Sequence, residues 1–593
     1  MRVFRVWAPF ASSVDVNVDD HSHSLQAEHE NWWEACVAAA NPGTDYTYSV
    51  NGGTPVPDPR SAWQPYGVHG PSRVVDSFFE WTDQKWNALP LASGVIYELH
   101  IGTFTADGTF LAAIEKLDHL VALGVTHIEM MPIAEFPGRW GWGYDGVDLF
   151  APHHHYGTPD DLKRFVNACH ERGLAVLLDV VYNHFGPDGN YLSKFGPYTT
   201  EKYKTPWGNA INLDSALCRG VRTFLLENAV MWIRDFHFDG LRLDAVHALI
   251  DNGAFHFLEQ LADRVKVLQA ELGRHLVLIA ESDLNDPRIV QPCEIGGYGI
   301  DAQWSDDFHH ALHTVLTGER SGYYTDFGTV SQLAKAIRQA FVYDGVFSQY
   351  RQRLHGRSPS HLPGHKFVVC TQNHDQVGNR AQGERLCHLV SPAKAKMAAA
   401  LLLTSPFVPL IFQGEEWAAS TPFLYFTNHQ DQELGRKVSE GRRREFSAFG
   451  WAPDEVPDPQ DFATFERSRL NWDEVAQTDH ADMLDWYRTL IRLRHATPDL
   501  RNAQQNAVEV QFSDSDKWLL MKRGQVVVAC NFGERSWHAP LHNWEDRVIS
   551  STNRLHVTRE GVMLPPDSVA ILGQRGDMGQ KRAEVERAVR EGC

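Results

Sequence analysis

The feature that most constrains the fold is a regular alternation of short apolar runs with helical segments between about residues 95 and 498. One helical segment ends at Gly124, a residue suited to a C-cap, and another begins at Thr158, which can cap it, with Pro159 in its first turn. The strand-like runs lie at residues 95–101, 126–131, 174–181, 239–244, 276–281, 302–304, 366–372 and 408–412. Eight strand–helix units predict an α/β fold built on a (β/α)8 TIM barrel, with its active site at the C-terminal ends of the strands.

An open doubly wound sheet is the architectural alternative to the barrel. That fold commonly places a Gly-x-Gly-x-x-Gly turn after a strand to bind phosphate, and no such turn follows any of the eight runs. The barrel is therefore favoured.

Regions with period-two alternation flank the predicted barrel. Val14, Val16 and Val18 alternate with polar residues, and turn residues separate such runs, which is typical of a β-sandwich. We predict an N-terminal β-sandwich (1–88), the catalytic barrel with insertions (89–498), a C-terminal β domain (499–575) and a charged tail (576–593).

Composition excludes some partners and locations. The chain of 593 residues carries 55 basic and 75 acidic residues, a net charge of −20, which argues against nucleic acid as a partner. No apolar run is long enough to span a membrane, and the N-terminal segment lacks the apolar core that a signal peptide needs. The eight cysteines have no paired spacing, so we expect reduced thiols and a cytoplasmic location.

Arg242 and Asp244 are the most informative of the polar residues that follow the apolar runs. Alternate strand residues share a face, so these two side chains should point together. A guanidinium beside a carboxylate lowers the pKa of the carboxyl and keeps it ionised, as a nucleophile requires.

Glu281 ends the next predicted strand and should lie near Asp244 and Asp375. Like charge opposes ionisation of Glu281, so it could stay protonated and donate to a leaving oxygen. Two carboxyl groups in opposite protonation states are what glycoside hydrolysis needs. A structural ion pair is the alternative for any one of them, but three carboxylates that end different strands favour a catalytic site.

The segments 179–184, 239–247, 278–283 and 372–375 resemble, in order and on the expected strands, the four signature regions of the α-amylase superfamily of glycoside hydrolases. The resemblance implies that Asp244 is the nucleophile, Glu281 the proton donor and Asp375 the stabiliser of the transition state. The further residues that it implies in substrate binding are Arg242, His184, His374, Tyr144, Asp145 and Asn373.

Longer segments carry a narrower resemblance, to the maltooligosyltrehalose trehalohydrolase family; they are 183–192, 242–248, 280–286, 372–380 and 414–422. This resemblance implies a retaining hydrolase that cuts the α-1,4 bond next to the terminal trehalose of maltooligosyl trehalose, or acts on related α-1,4-glucan oligosaccharides. It also implies maltooligosyltrehalose synthase as pathway partner. A glycogen branching enzyme, which shares segment 142–145, is the alternative enzyme. A non-catalytic glucan-binding protein is disfavoured because all three carboxylates are present.

Selection of trehalose requires rigid walls beyond the cut bond, with aromatic faces and charged donors. Trp207, in the long loop after the third strand, and Tyr350 and Arg351, before the seventh, are the predicted substrate-binding residues of this kind. The alternative is that Trp207 packs under its own loop and that Arg351 pairs with a surface acid.

We predict neither a metal nor another cofactor. His153, His154 and His155 are adjacent, and adjacent side chains rarely converge on one ion, so we interpret them as loop histidines that line the cleft. Asn183 occupies the place of a calcium ligand in many α-amylases, but no Asp-x-Asp-x-Asp-Gly loop follows it; Asp188 and Asn190 are weak candidates.

Overall fold

Eight parallel strands close into a barrel, each hydrogen-bonded to the next in chain order and the last to the first. The structure, a computed structural model, describes residues 2–19, 21–38, 40–447, 451–452, 455–540, 548–550, 555–558 and 561–573. The strands are β1 (Ile96–Leu99), β2 (His127–Met130), β3 (Ala175–Val180), β4 (Gly240–Leu243), β5 (Val277–Ala280), β6 (Ala302–Trp304), β7 (Phe367–Cys370) and β8 (Val408–Phe412). The predicted TIM barrel is confirmed.

The strands are apolar because a parallel barrel covers both of their faces; all six residues of β3 are buried. The register between neighbouring strands then determines which polar strand ends lie next to each other. Asp179 on β3 pairs with Arg242 on β4, and Leu243 on β4 pairs with Ala280 on β5. The residues that follow these partners, Asp244 and Glu281, therefore emerge side by side from the barrel.

Helices surround the strands, and their predicted ends are confirmed where the sequence signals were clearest. Thr158 forms a capping box with Asp161, and Gly124 ends its helix in the left-handed conformation at φ 95°. The helices of eight or more residues are Pro159–Glu171, Cys218–Arg234, Phe257–Leu272, Asp306–Thr317, Val330–Gln339, Pro392–Thr404, Gln432–Ser447 and Thr478–Ala496. The shorter ones are Ile101–Phe104, Phe110–Ile114, Leu117–Leu123, Leu192–Phe195, His374–Gly378, Leu386–Leu389, Phe462–Arg467 and Pro498–Arg501.

Antiparallel sheets flank the barrel on both sides in sequence. The N-terminal region has one sheet of Arg2–Trp7, Trp32–Val37 and Gln26–Ala27 and another of His21–Ser24, Val14–Val18, Asp45–Val50 and Ser72–Arg73. The C-terminal region has a sheet of Val508–Ser513, Trp518–Arg523, Val526–Asn531, Ser568–Gly573 and Val548–Ser550 and another of Trp537–Ala539, Gly561–Leu564 and His556–Thr558. The charged tail, 576–593, lies outside the described residues.

Within the described residues, three antiparallel hairpins are inserted between successive strands of the barrel. They are Ala134–Glu135 with Asp148–Pro152, Thr199–Thr205 with Gly208–Ile211, and Asp344–Ser348 with Arg353–Gly356. Each of them, or the loop that it encloses, carries residues predicted to bind substrate.

The segment 79–87, at the predicted boundary between the N-terminal region and the barrel, is packed against the barrel. Trp81 stacks on His237 with ring centroids 3.7 Å apart, and Trp86 stacks on His170 at 4.7 Å. Asp83 accepts hydrogen bonds from both histidines. The exact domain boundaries stay predictions. None of the helices in the described residues is long and apolar enough to cross a membrane.

Candidate active site

Arg242 is the centre of the site. It is fully buried at the end of β4, and its Nη1 donates to Asp244 Oδ1 and to Asp179 Oδ2, both at 2.8 Å. Its Nη2 lies 3.1 Å from Glu281 Oε2, and its guanidinium carbon lies 4.2 Å from the centroid of the Trp304 ring. One cation therefore contacts three carboxyl groups that come from three successive strands.

Asp244 is held ionised. Burial would raise the pKa of this carboxyl, but Arg242 and a hydrogen bond from Asn183 together hold that pKa below its ordinary value. Asn183 Nδ2 donates to Asp244 Oδ2 at 2.6 Å and to the Asp244 backbone carbonyl at 2.8 Å. An ionised, oriented carboxylate is the form that can attack an electrophilic carbon.

Glu281 is held in the opposite state. Burial raises the pKa of Glu281 well above its ordinary value, and the like charges of Asp244 and Asp375 raise it further, although Arg242 opposes them. Its Oε2 also accepts a hydrogen bond from the Ala245 backbone N–H at 2.7 Å, which fixes the carboxyl against β4. A protonated carboxyl beside an ionised one matches the acid and nucleophile pair of glycoside hydrolysis.

Asp375 lies in the first turn of the helix His374–Gly378, directly after β7. Asn373 caps this helix, since its Oδ1 accepts from the backbone N–H groups of Asp375 and Gln376. The Asp375 side chain is 40% exposed, the most open of the three predicted catalytic carboxyls. The Asn373 side chain therefore caps the helix by contact with its backbone, and the exposed Asp375 side chain can contact a ligand.

A hydrogen-bonded chain crosses the barrel mouth beneath these groups. His374 Nδ1 donates to Glu98 Oε1 at 2.5 Å, and its Nε2 lies 2.8 Å from the Tyr144 hydroxyl, which donates to Asp179 at 2.7 Å. Burial lowers the pKa of His374, but Glu98 and Asp375 outweigh burial and raise that pKa to about 9. His374 is therefore cationic at neutral pH and is a second positive charge for the cluster of carboxylates.

His184 and Trp207 form a wall of stacked rings. Their centroids are 5.0 Å apart and their planes differ by 4°. Trp207 lies at the turn of the hairpin Thr199–Ile211 and is 46% exposed, so its ring covers His184 instead of packing under its own loop. His184 Nε2 donates to the Tyr144 carbonyl at 3.0 Å, and its Nδ1 pairs with Asn183.

Asp145 lies beside the wall, on the loop between Ala134–Glu135 and Asp148–Pro152. Its Oδ2 is 3.8 Å from His429 Nε2, and burial raises the pKa of the carboxyl. Its neighbour Tyr144 stacks on His374 with ring centroids 5.3 Å apart. The structure thus places both residues of this loop at the site.

Tyr350 and Arg351 lie in the turn of the hairpin Asp344–Gly356. Arg351 Nη1 donates to Asp283 Oδ2 at 2.7 Å, and the Asp283 side chain is 39% exposed, so Arg351 does pair with a surface acid, which lies two residues beyond Glu281. Tyr350 is 51% exposed, and among the residues that the structure describes its side chain makes no hydrogen bond to the three carboxyls. The structure therefore links Arg351 to the site and leaves Tyr350 at its edge.

Comparisons with known proteins agree with this geometry. Residues 75–207 match the family described as the catalytic domain of alpha amylase, and residues 505–571 match a domain of unknown function, DUF3459. A malto-oligosyltrehalose trehalohydrolase of Rhizobium sp. (strain M-11) is 46% identical over 581 residues, which cover 96% of this chain and 97% of that protein. The chain belongs to the malto-oligosyltrehalose trehalohydrolase family.

Two further relatives span the chain to the same extent. A malto-oligosyltrehalose trehalohydrolase of Mycobacterium tuberculosis (strain ATCC 25618 / H37Rv) is 45% identical and covers 93% of this chain and 97% of its own length. A 1.4 Å crystal structure from Salmonella typhimurium, described as a candidate alpha amylase, has a TM-score of 0.89 at 38% identity, with coverage of 96% and 97%. The trehalohydrolase family likeness therefore extends over the flanking β regions as well as the barrel.

Sequence reasoning missed several groups that shape this trehalohydrolase-family site. Glu98 on β1 holds His374, and Trp304 on β6 lies under Arg242. Asp306 follows β6, and burial, with Asp375 and Asp307, raises its pKa to about 7. A carboxylate after a strand was the available signal for Asp306, but β6 has only three residues.

The interpretation of the histidine triplet as cleft-lining residues is wrong for His153, and the expectation that adjacent side chains do not converge is wrong for His153 and His154. His153 is fully buried and stacks on Phe136 with ring centroids 3.7 Å apart, so it does not line an open cleft. His153 and His154 also converge: their Nδ1 atoms lie 3.4 Å and 2.8 Å from the same Glu135 oxygen. Adjacent side chains converge here because the chain turns directly after the strand Asp148–Pro152, and Glu135 lies on its partner strand.

Proposed function

We propose that this chain is a retaining glycoside hydrolase that cleaves the α-1,4 bond next to the terminal trehalose unit of maltooligosyl trehalose and releases trehalose. The observation that carries the chemistry is the contact of one guanidinium, Arg242, with Asp244 and Glu281, whose pKa values are displaced in opposite directions. The relatives named as trehalohydrolases, with coverage of nearly the whole chain, support the choice of substrate.

In the first step an Asp244 oxygen attacks the anomeric carbon of the glucose that precedes trehalose. The bond from that carbon to the bridging oxygen breaks, and Glu281 gives its proton to that oxygen, so trehalose leaves as a neutral sugar. The maltooligosyl unit stays on Asp244 as an ester. We assign to Asp375, the most exposed of the three carboxyls, hydrogen bonds to sugar hydroxyls that strengthen in the transition state.

In the second step Glu281, now ionised, takes a proton from water as the water attacks the same carbon. The bond to Asp244 breaks, and the maltooligosaccharide leaves with its original anomeric configuration. Two inversions at one carbon give net retention. Contact of both carboxyls with one guanidinium keeps them close, which supports the retaining spacing of about 5–5.5 Å.

Product analysis tests the function directly. Purified protein is incubated with maltooligosyl trehalose and, in parallel, with amylose, and the products are separated by chromatography. Free trehalose as the main product is expected. New α-1,6 branches in amylose would instead support a branching transferase, and binding without turnover would support a non-catalytic glucan-binding protein. Preference for plain amylose would contradict the trehalohydrolase assignment.

The stereochemistry gives a second test. Proton NMR of the first maltooligosaccharide released should show the α-anomer before mutarotation. The β-anomer would contradict a covalent intermediate on Asp244 and would point to direct attack by water.

We also propose a cytoplasmic location, with maltooligosyltrehalose synthase as pathway partner. The seven cysteines in the described part of the chain are free, which supports a reducing compartment. The substrate carries a trehalose end on an α-1,4-glucan, so an enzyme that makes this end must act first. Fractionation of cells with an antibody to this chain would test the location.

A further inference from the structure

Glu135, His153 and His154 form a cluster of metal-ligating groups away from the three catalytic carboxyls. One ring nitrogen of each histidine and a carboxylate oxygen of Glu135 all lie within 4.8 Å of one another. His154 Nδ1 is 2.8 Å and His153 Nδ1 is 3.4 Å from Glu135 Oε1. Tetrahedral ligands at about 2.0–2.1 Å from a zinc ion are themselves about 3.3 Å apart, and the two distances from the histidines to Glu135 lie near this value.

His153 gives the second observation. Its side chain is fully buried, and neither of its ring nitrogens makes a hydrogen bond with good geometry within the described residues. A buried polar group without a well-formed hydrogen bond carries a cost in folding free energy. A metal ion bound to Nδ1 would remove that cost, and the stack on Phe136 already fixes the ring so that Nδ1 faces Glu135.

Glu135 provides the third observation. It is a fully buried carboxylate whose Oε2 accepts the backbone N–H of His154 at 2.8 Å, while Oε1 faces the two imidazoles. A buried carboxylate needs a cation or several donors. The side chain of His154 is 16% exposed, so an ion could enter from solvent at this edge.

We propose that Glu135, His153 and His154 bind one divalent transition-metal ion of the zinc type. Two imidazole nitrogens and one carboxylate oxygen are a donor set that suits zinc and leaves a fourth position for water. The sequence clue was the histidine triplet, but Glu135 lies 18 positions earlier and joins it only through strand pairing.

The site would tie together the two ends of the loop 136–147. Glu135 ends the strand before this loop, and His153 and His154 follow the strand after it. The loop carries Tyr144 and Asp145 to the candidate active site. Binding of the ion would therefore restrain the segment that positions Tyr144, without direct contact with substrate.

Zinc titration of the full chain tests the proposal. The protein is stripped with a chelator, checked for folding by circular dichroism and titrated calorimetrically with Zn²⁺. We expect one site per chain that is at least about 100-fold weaker in His154→Ala, because even loss of a supporting partner costs 10–100-fold in metal affinity. His155→Ala is the matched control, since His155 is adjacent but outside the cluster, and it should retain the site. Co²⁺ in place of Zn²⁺ should give the visible absorption of a tetrahedral complex in the wild type and in His155→Ala only.

Two results would overturn the proposal. If Glu135 only accepts hydrogen bonds from the histidines, the wild type, His154→Ala and His155→Ala will bind Zn²⁺ equally weakly. If His154→Ala is folded and binds as tightly as the wild type, the ion lies elsewhere.

Hydrogen exchange supplies a measurement that does not depend on turnover. Zn²⁺ should slow exchange in residues 136–147 of the wild type and leave His154→Ala unchanged; equal exchange with and without Zn²⁺ in the wild type would contradict the restraint on the loop. Both measurements use binding alone, so their outcome is separate from the test of trehalose release.

Discussion

Arg242 cannot neutralise all the carboxyls that it contacts. It is one buried cation among Asp179, Asp244 and Glu281, and like charges at such distances oppose one another's ionisation. Burial, with the charge of Asp244, raises the pKa of Asp179 to about 7 despite Arg242, and the pKa of Glu281 is raised as well. The ionised state is therefore concentrated on Asp244, the residue to which Asn183 also donates.

Replacement of the three carboxyls is the first test at this scale. Asp244→Asn, Glu281→Gln and Asp375→Asn should each lower kcat by at least about 1000-fold with the fold retained, since groups that act as a unit each carry most of the loss. The double variant Asp244→Asn/Glu281→Gln should lose little more than either single one. Steady-state kinetics and circular dichroism check this, and a variant that keeps a tenth of wild-type activity would lose its assigned role.

The pH profile of kcat/KM is the second test at the scale of single residues. Asp244 must be ionised, and its pKa is lowered, so activity should fall as pH drops below its ordinary range near 3.8. Glu281 must be protonated, and its pKa is raised, so activity should persist well above pH 4.5 and fall only as pH rises through that raised pKa. A bell-shaped profile results. Loss of the alkaline limb in Glu281→Gln, measured on a substrate with an activated leaving group, would identify Glu281 as the group that titrates there. An unchanged limb would assign this titration to another group.

Glu98 and His374 give a third prediction, on stability. Glu98 is a main cause of the rise in the pKa of His374 from 6.5 to about 9, so the folded state gains stability that is complete below pH 6.5 and is lost as pH rises through 9. The gain is at most of the order of 3 kcal/mol, from 1.36 kcal/mol per pKa unit. The difference in Tm between wild type and Glu98→Gln should therefore be widest at pH 6 and narrow towards pH 9.5. A constant difference would show that Glu98 stabilises the fold without charging His374.

At the scale of elements, hairpins and loops shape the barrel mouth. Trp207 occupies the turn of one hairpin and covers His184, and Arg351 occupies the turn of another and pairs with Asp283. The helix ends at Thr158 and Gly124 followed from capping rules, because capping acts over three or four residues. No comparable local rule predicts that Trp207 contacts His184.

Substrate selectivity tests the two hairpins. Trp207→Ala and Arg351→Ala should reduce trehalose release more than cleavage of amylose. The ratio of kcat/KM for the two substrates should shift by roughly 10–100-fold, or ~1.4–2.8 kcal/mol of differential transition-state binding. Trp207→Phe keeps an aromatic face and should lose less. Equal losses on both substrates would contradict the proposal that Trp207 and Arg351 determine specificity.

At the scale of the whole molecule, the segment 79–87 joins the N-terminal region to the barrel. Asp83 is almost fully buried between His170 and His237; burial would raise its pKa, but the two histidines hold it well below its usual range. Asp239, next to β4 at the end opposite to Asp244, accepts from His170, Trp86 and Arg274. This network connects the segment to the base of the barrel, at the end of β4 opposite to the candidate catalytic residue Asp244.

Asp83→Asn tests that network. The change leaves His237 without its anionic partner and leaves His170 with Asp239 alone, which should cost about 2–3 kcal/mol of unfolding free energy. The kcat at moderate temperature should stay unchanged because Asp83 does not contact the site. Asp118→Asn is the control: its ion pair with Arg172 has the same 2.8 Å length but the aspartate is 82% exposed, so little change in Tm is expected. Equal Tm shifts in the two variants would contradict a structural role for the segment.

The sequence by itself determined the barrel and the ends of its strands. Periodicity of apolar residues is a local pattern, and eight repeats of it admit few folds; the C-terminal ends of parallel strands then meet at one edge, which brings Asp244, Glu281 and Asp375 together. The pairing of Arg242 with Asp244 followed in the same way from alternation along a strand.

Only the tertiary structure decided that the pKa of Asp179 is raised along with that of Glu281, and which side chains meet from distant parts of the chain. Glu98 meets His374, Trp207 meets His184, and Glu135 meets His153 and His154 through contacts that no spacing in the sequence encodes. Protonation depends on burial and on distances of a few ångströms between charges, and both are set when the strands close into a barrel. Patterns of residues along one strand or helix carry neither quantity.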